Sequence, residues 1–148
     1  MSNRLNGIIR AWEAGKPAFS CFAKADKQTA IDLSDSPYDA LVFEMEHNPF
    51  DMLALGDALQ YLLNRKQIHT APTLAPAVTP IVRIPSNGVE MNQAEAKQAL
   101  DRGVYGVVWL SWPRKTGQVV KLGICSSITE RGKSEHEQVD TTEPQCVV

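Results

Sequence analysis

Residues 41–51, LVFEMEHNPFD, place two carboxylates and an imidazole (Glu44, Glu46 and His47) at the end of an apolar run. A carboxylate beside an imidazole fixes its tautomer and raises its basicity, the usual arrangement of a general base. The bland alternative is a satisfied structural histidine with two acids that are solvated or cap a helix. Arg83 is the second unusual residue, set between Val82 and Ile84 in PIVRIP (80–85). A guanidinium keeps its charge, so an apolar strand can hold it only if an anion meets it. That anion is either Glu44 or Glu46 on a neighbouring strand, or a substrate carboxylate or enolate gripped bidentately. Asp101 closes a helix beside Arg102 and Gly103; an acid there opposes the macrodipole and calls for a partner. Cys21 reads as a small core residue in a strand, and His69 and His136 read as solvated. GxGxxG, Walker A, GxSxG and HExxH are all missing from the sequence.

Positioning these residues requires an alternating framework. Leu5, Ile8, Ile9 and Trp12 share one face of a short helix that Gly15 and Pro17 end. PAFSCFA (17–23) reads as a strand, 26–34 as a short helix, and DSPYD (35–39) as a turn. ALVFEM (40–45) is apolar enough to be a strand covered on both faces. Asn48 and Pro49 look like the cap and first position of a helix whose core face is Met52, Leu55, Leu59, Leu62 and Leu63. Residues 65–80, with Pro72, Pro76 and Pro80, read as a long connection. PIVRIP is the next strand, 89–103 a helix closed by Gly103, and VYGVVWL (104–110) a further strand. The order α, then β-α-β-α-β-α-β, predicts an α/β fold with a parallel sheet and right-handed crossovers. Glu44, Glu46, His47 and Arg83 then gather at strand C-terminal ends, where parallel α/β sheets bind ligands. Alternation sets Glu44 and Glu46 on one face, and His47 can turn to either.

The totals exclude several classes. With 148 residues and a net charge of −2, the chain is of one-domain length, or part of a larger domain, and lacks the basic footprint of a nucleic-acid binder. No apolar run reaches the ~20 residues of a membrane span, and the N-terminus has no signal-like apolar stretch. Three cysteines (Cys21, Cys125, Cys146) without CxxC spacing argue against a disulfide framework or thiolate metal site. A cytoplasmic setting is expected. Beyond Trp109, VVKLGICSSI could form one more strand, while 129–148 is polar, aperiodic and expected to be disordered.

The pieces YDALVFEMEHNPFD, PIVRIPSNG and KQALDRGVYGVVW, with GKPAFSCF more weakly, lie in an order and spacing that resemble the HpcH/HpaI aldolase/citrate lyase family. That family includes 2,4-dihydroxyhept-2-ene-1,7-dioate aldolase and 2-keto-3-deoxy-sugar-acid aldolases. The resemblance covers residues 1 to about 109. It implies the N-terminal half of a (β/α)8 barrel (1–110) followed by a non-family tail (111–148). It also implies a metal-dependent carbon–carbon lyase that releases pyruvate, or an analogue, from a 2-oxo acid. His47 matches the catalytic base, and Glu44 the acid that orients it, usually aspartate there. Arg83 matches the arginine that binds the pyruvyl group, with Glu46 beside it in the substrate site. Asp101 matches an acid that reaches a neighbouring subunit's site in family oligomers. A divalent cation (Mg²⁺, Mn²⁺ or Co²⁺) is implied for the intact enzyme, a homo-oligomer. Its glutamate and aspartate ligands come from later strands that have no counterpart after Trp109, which suggests a truncated or frameshifted reading frame. Four strands cannot close an eight-stranded barrel, so the chain alone is expected to be a poor aldolase or inactive. The alternatives are a non-catalytic half-barrel that binds a small carboxylate or only assembles with other chains, and a nucleotide-binding module. The last lacks a glycine-rich phosphate loop.

Overall fold

The computed structural model describes residues 4–85, 92–108, 110–111 and 121–122. Four strands build a parallel sheet in the order β1 (Ser20–Ala23), β2 (Ala40–Glu44), β3 (Thr79–Arg83), β4 (Val107–Val108). Strand order therefore follows chain order, with no reversal of the kind a doubly wound sheet shows at its switch point. Five helices accompany them: α1 (Gly7–Glu13), α2 (Lys27–Leu33), α3 (Met52–Leu62), α4 (Arg65–Thr70) and α5 (Gln93–Arg102). Leu110–Ser111 and Lys121–Leu122 form a separate antiparallel pair, β5 and β6, which crosses the boundary expected at residue 110. Among the described residues, no helix is long and apolar enough to cross a membrane.

Period-two alternation divides the sheet into two faces. Leu41, Phe43, Met45, Val82, Ile84 and Val107 turn to one side and are buried with Leu55, Ala58, Leu59 and Leu62 of α3, Ala30 of α2 and Ala99 of α5. Ala40, Val42, Ile81 and Val108 turn to the other, where Ile8 of α1 covers them. Both β2 and β3 are thus apolar along their length because each is covered twice.

Helix α1 is clamped at the N-terminal end of that second face. Asn6 caps it through Oδ1, which accepts from the amides of Ile8 (3.0 Å) and Ile9 (3.4 Å). The Gly7 amide donates to the buried hydroxyl of Thr79 at 2.7 Å, and Gly15, at φ 66°, ends the helix as expected. Trp12, expected on the core face, is 46% exposed, because a helix of seven residues covers only the base of the sheet.

Several boundaries differ from expectation for local reasons. Helix α3 is capped by Asp51, whose Oδ1 accepts from Leu53 (2.8 Å) and Ala54 (3.0 Å). Asn48 instead donates its side-chain amide to the Glu44 carbonyl at 3.1 Å and closes the preceding loop. Leu63 leaves the α3 core face and is 45% exposed, since its backbone is already extended. The expected 65–80 connection contains α4, capped by Asn64 and burying none of its residues. With no apolar stripe, only its cap and good helix formers mark it in the sequence. Among the described residues, the expected strand 104–110 joins the parallel sheet at Val107–Val108 alone, with Leu110 in the antiparallel pair, and α5 begins at Gln93. The expected tail disorder and His136 lie outside the described residues.

A methyl group on Gly7 would lie 2.5 Å from the Asp39 carbonyl and 3.0 Å from Thr79 Oγ1. Gly7→Ala should therefore lower stability by about 1–3 kcal/mol through overpacking. The measurement is the urea midpoint at unchanged m-value; an unmoved midpoint would show that α1 is not clamped here.

Candidate functional site

The second face ends in charge. The β2–β3 register sets Glu44 opposite Arg83, one inward step beyond Val42 and Ile81. Arg83 Nε donates to Glu46 Oε2, and Nη1 lies 3.4 Å from Glu44 Oε2. Between the two possibilities for Arg83, the protein therefore pairs it with both neighbouring acids. The three side chains are only 17% (Arg83), 14% (Glu44) and 9% (Glu46) exposed. Among the described residues, neither Nη group of Arg83 makes a hydrogen bond, so donors of the guanidinium fork are left for another acceptor.

The two acids divide their work differently from expectation. Glu44 turns Oε1 onto the loop, accepting from the amides of Glu46 (2.8 Å) and His47 (3.2 Å). Its carboxylate thus holds the backbone that carries the imidazole. Glu46 is the acid beside His47, with Nε2 3.9 Å from Glu46 Oε2. That separation is too long for a hydrogen bond and attracts only when the imidazole is protonated. Glu46, two residues beyond the end of β2, is thus nearer the His47 ring than Glu44 is, because its side chain reaches Arg83 on the same side as the ring. His47 itself is 73% exposed, free to reach a bound molecule at this end of the sheet.

Glu44, Glu46, His47 and Arg83 therefore converge at one end of one face. Asp101 does not join them. It is exposed on α5, in the helical layer, lining with Met52, Gln98 and Arg102 a groove of about 350 Å³. Among the described residues it forms no ion pair. Cys21 pairs in register with Leu41 and packs toward the helical core, and burial pushes its thiol pKa up. A thiol so placed is not a nucleophile for this site. His69 is exposed in α4.

One residue at the site carried no signal in the sequence. Phe22 places its ring with the centroid 5.3 Å from Arg83 Cζ. Alternation assigns Phe22 to the face of Val42, but nothing local announces a partner two strands away.

The implied divalent metal does not fit these residues. Among the described residues, no three His, Cys, Asp or Glu side chains come together to hold an ion. Glu44 and Glu46 are committed to Arg83, whose charge would oppose a cation. No family model matches the chain, and no curated protein matches it.

Removing the guanidinium would strand two poorly solvated carboxylates. Arg83→Leu should cost about 2–4 kcal/mol, a figure for buried pairs discounted for partial exposure. Adding Glu46→Leu should restore part of that loss, read as a coupling free energy in a double-mutant cycle. Strict additivity of the two changes would show that the pair is not energetically coupled.

Proposed function

We propose that the chain carries the 2-oxo-acid-binding half of a class II aldolase, a carbon–carbon lyase built on a (β/α)8 barrel. The observation that carries this reading is Arg83: a partly buried guanidinium with undirected Nη donors, at the C-terminal end of a parallel strand, beside an exposed imidazole. Support for the barrel comes from the sequential strand order, the helical layer on one face and α1 at the base of the other.

In this reading Arg83 grips the carboxylate and 2-oxo oxygen of the substrate through its Nη groups. His47 takes the proton of the 4-hydroxyl as general base. The C3–C4 bond breaks, its electron pair passes into the enolate that Arg83 stabilises, and the aldehyde leaves. Protonation of the enolate at C3 gives pyruvate or an analogue. Glu44 holds the 46–47 backbone, and Glu46 fixes Arg83 and attracts the imidazolium that forms. A divalent cation is expected only for the intact family enzyme, with ligands that the family-like region of this chain does not supply. We place the enzyme in the cytoplasm as a homo-oligomer.

A second reading, a non-catalytic half-barrel that binds a small carboxylate or only assembles with other chains, is favoured by the double pairing of Arg83. Two assays on the full chain with Mg²⁺, Mn²⁺ or Co²⁺ separate the two. One is calorimetric binding of oxalate, a pyruvate-enolate mimic; the other follows pyruvate release from a 4-hydroxy-2-oxo acid. Metal-dependent release at about 1 s⁻¹ or more, reduced about 100-fold in Arg83→Lys with folding intact, supports the aldolase and overturns the expectation that the chain alone is inactive. Oxalate binding lost in Arg83→Lys, without pyruvate release, supports the carboxylate-binding half-barrel. Neither binding nor release would overturn the 2-oxo-acid site altogether.

A further inference from the structure

We propose that Phe22 is a positioning residue for Arg83, fixing the plane of the guanidinium so that its Nη donors face an incoming carboxylate. This rests on the 2-oxo-acid reading of the site. Phe22 lies in the edge strand β1, in register with Val42. Two strand spacings, about 9.5 Å, separate the β1 and β3 backbones. The 5.3 Å contact therefore requires the Arg83 and Phe22 side chains to lean toward each other across β2. By register Phe22 stands in line with Val42 and Ile81, so the contact runs diagonally toward the strand ends.

Phe22 is otherwise misplaced. It is 48% exposed and belongs to neither of the apolar clusters that stabilise the sheet. Among the described residues, the cation that its ring meets is Arg83. A cation over a ring face is attracted by the ring quadrupole. Glu46 holds the guanidinium at Nε, and a single edge contact leaves the plane free to swing about that bond. Nη1, at 3.4 Å from Glu44, is held by charge rather than by a directed hydrogen bond. The ring supplies a further constraint from a third direction, with its centroid 5.3 Å from Cζ. Bidentate recognition depends on that plane, since the fork must lie in the plane of the bound carboxylate.

The test combines a ligand-free and a ligand-bound measurement on the full chain. In the free protein, the ¹H–¹⁵N resonance of Arg83 Nε is compared in wild type, Phe22→Leu, Phe22→Tyr and Phe22→Trp. Phe22→Leu should remove the ring-current displacement of that resonance, while the tyrosine and tryptophan variants keep one. Oxalate affinity should fall about 2- to 5-fold in Phe22→Leu, the fold-change of a partly exposed cation–π contact, and be retained in Phe22→Tyr. An unmoved Arg83 resonance in Phe22→Leu would overturn the positioning role, as would an affinity loss that Phe22→Tyr shares. If wild type binds no oxalate, the 2-oxo-acid reading falls, and the Arg83 resonance alone still decides whether Phe22 orients the guanidinium.

Discussion

The pairing of Arg83 with Glu44 and Glu46 is the constraint around which this sheet is arranged. A guanidinium in a central strand loses hydration that the interior cannot replace, so an isolated one would unfold its surroundings. The β2–β3 register answers this locally by setting Glu44 opposite Arg83. A slip of one residue would turn Arg83 into the helical core and bring Val82 outward. The charges thus act with the apolar alternation to specify a single register. Burial of Leu41, Phe43 and Val82 selects the same alignment from the other face.

The same face is closed at its other end by a neutral device. Thr79 starts β3, two inward positions before Arg83, and its buried hydroxyl receives the Gly7 amide. The helix thus reaches the sheet with its backbone, at a residue too small to hold it off. Ile8 then covers Val42 and Ile81, the layer between the clamp and the charged cluster. One face therefore reads, from strand start to strand end, as hydroxyl, apolar floor and ion cluster. A site at the last of these is supported from beneath by packed side chains, which is what keeps polar groups in place for recognition.

How much of this was legible in the sequence depended on whether a signal was local. Strands β2 and β3 are continuous apolar runs, and they stand where the pattern puts them. Arg83 was conspicuous for interrupting such a run. Helix α4 has no buried stripe and is invisible to periodicity, while Asn48 and Asp51 compete as caps because several cap-forming residues lie within four positions. The convergence of Glu44, Glu46, His47 and Arg83 followed from strand ends, yet the roles of the two glutamates did not. Whether a carboxylate turns to a backbone amide or to a cation depends on loop closure, here set by Asn48 on the Glu44 carbonyl. Phe22 was illegible for a related reason: its contact depends on register across two strands.

The charge balance of the cluster bears on its use. Glu44, Glu46 and Arg83 sum to −1, so a carboxylate at Arg83 depends on directed contacts to the Nη groups rather than on the net charge of the cluster. Under the proposed retro-aldol reading, His47 would receive a proton as the enolate forms against Arg83, with Glu46 Oε2 3.9 Å from its Nε2. Positive charge would then increase at the site in step with the negative charge on the substrate. Stabilisation that grows between ground state and transition state is the kind that accelerates a reaction. Glu44 and Glu46 both satisfy Arg83, and in the proposed reading Glu46 alone would also favour the protonated imidazole once bond cleavage begins.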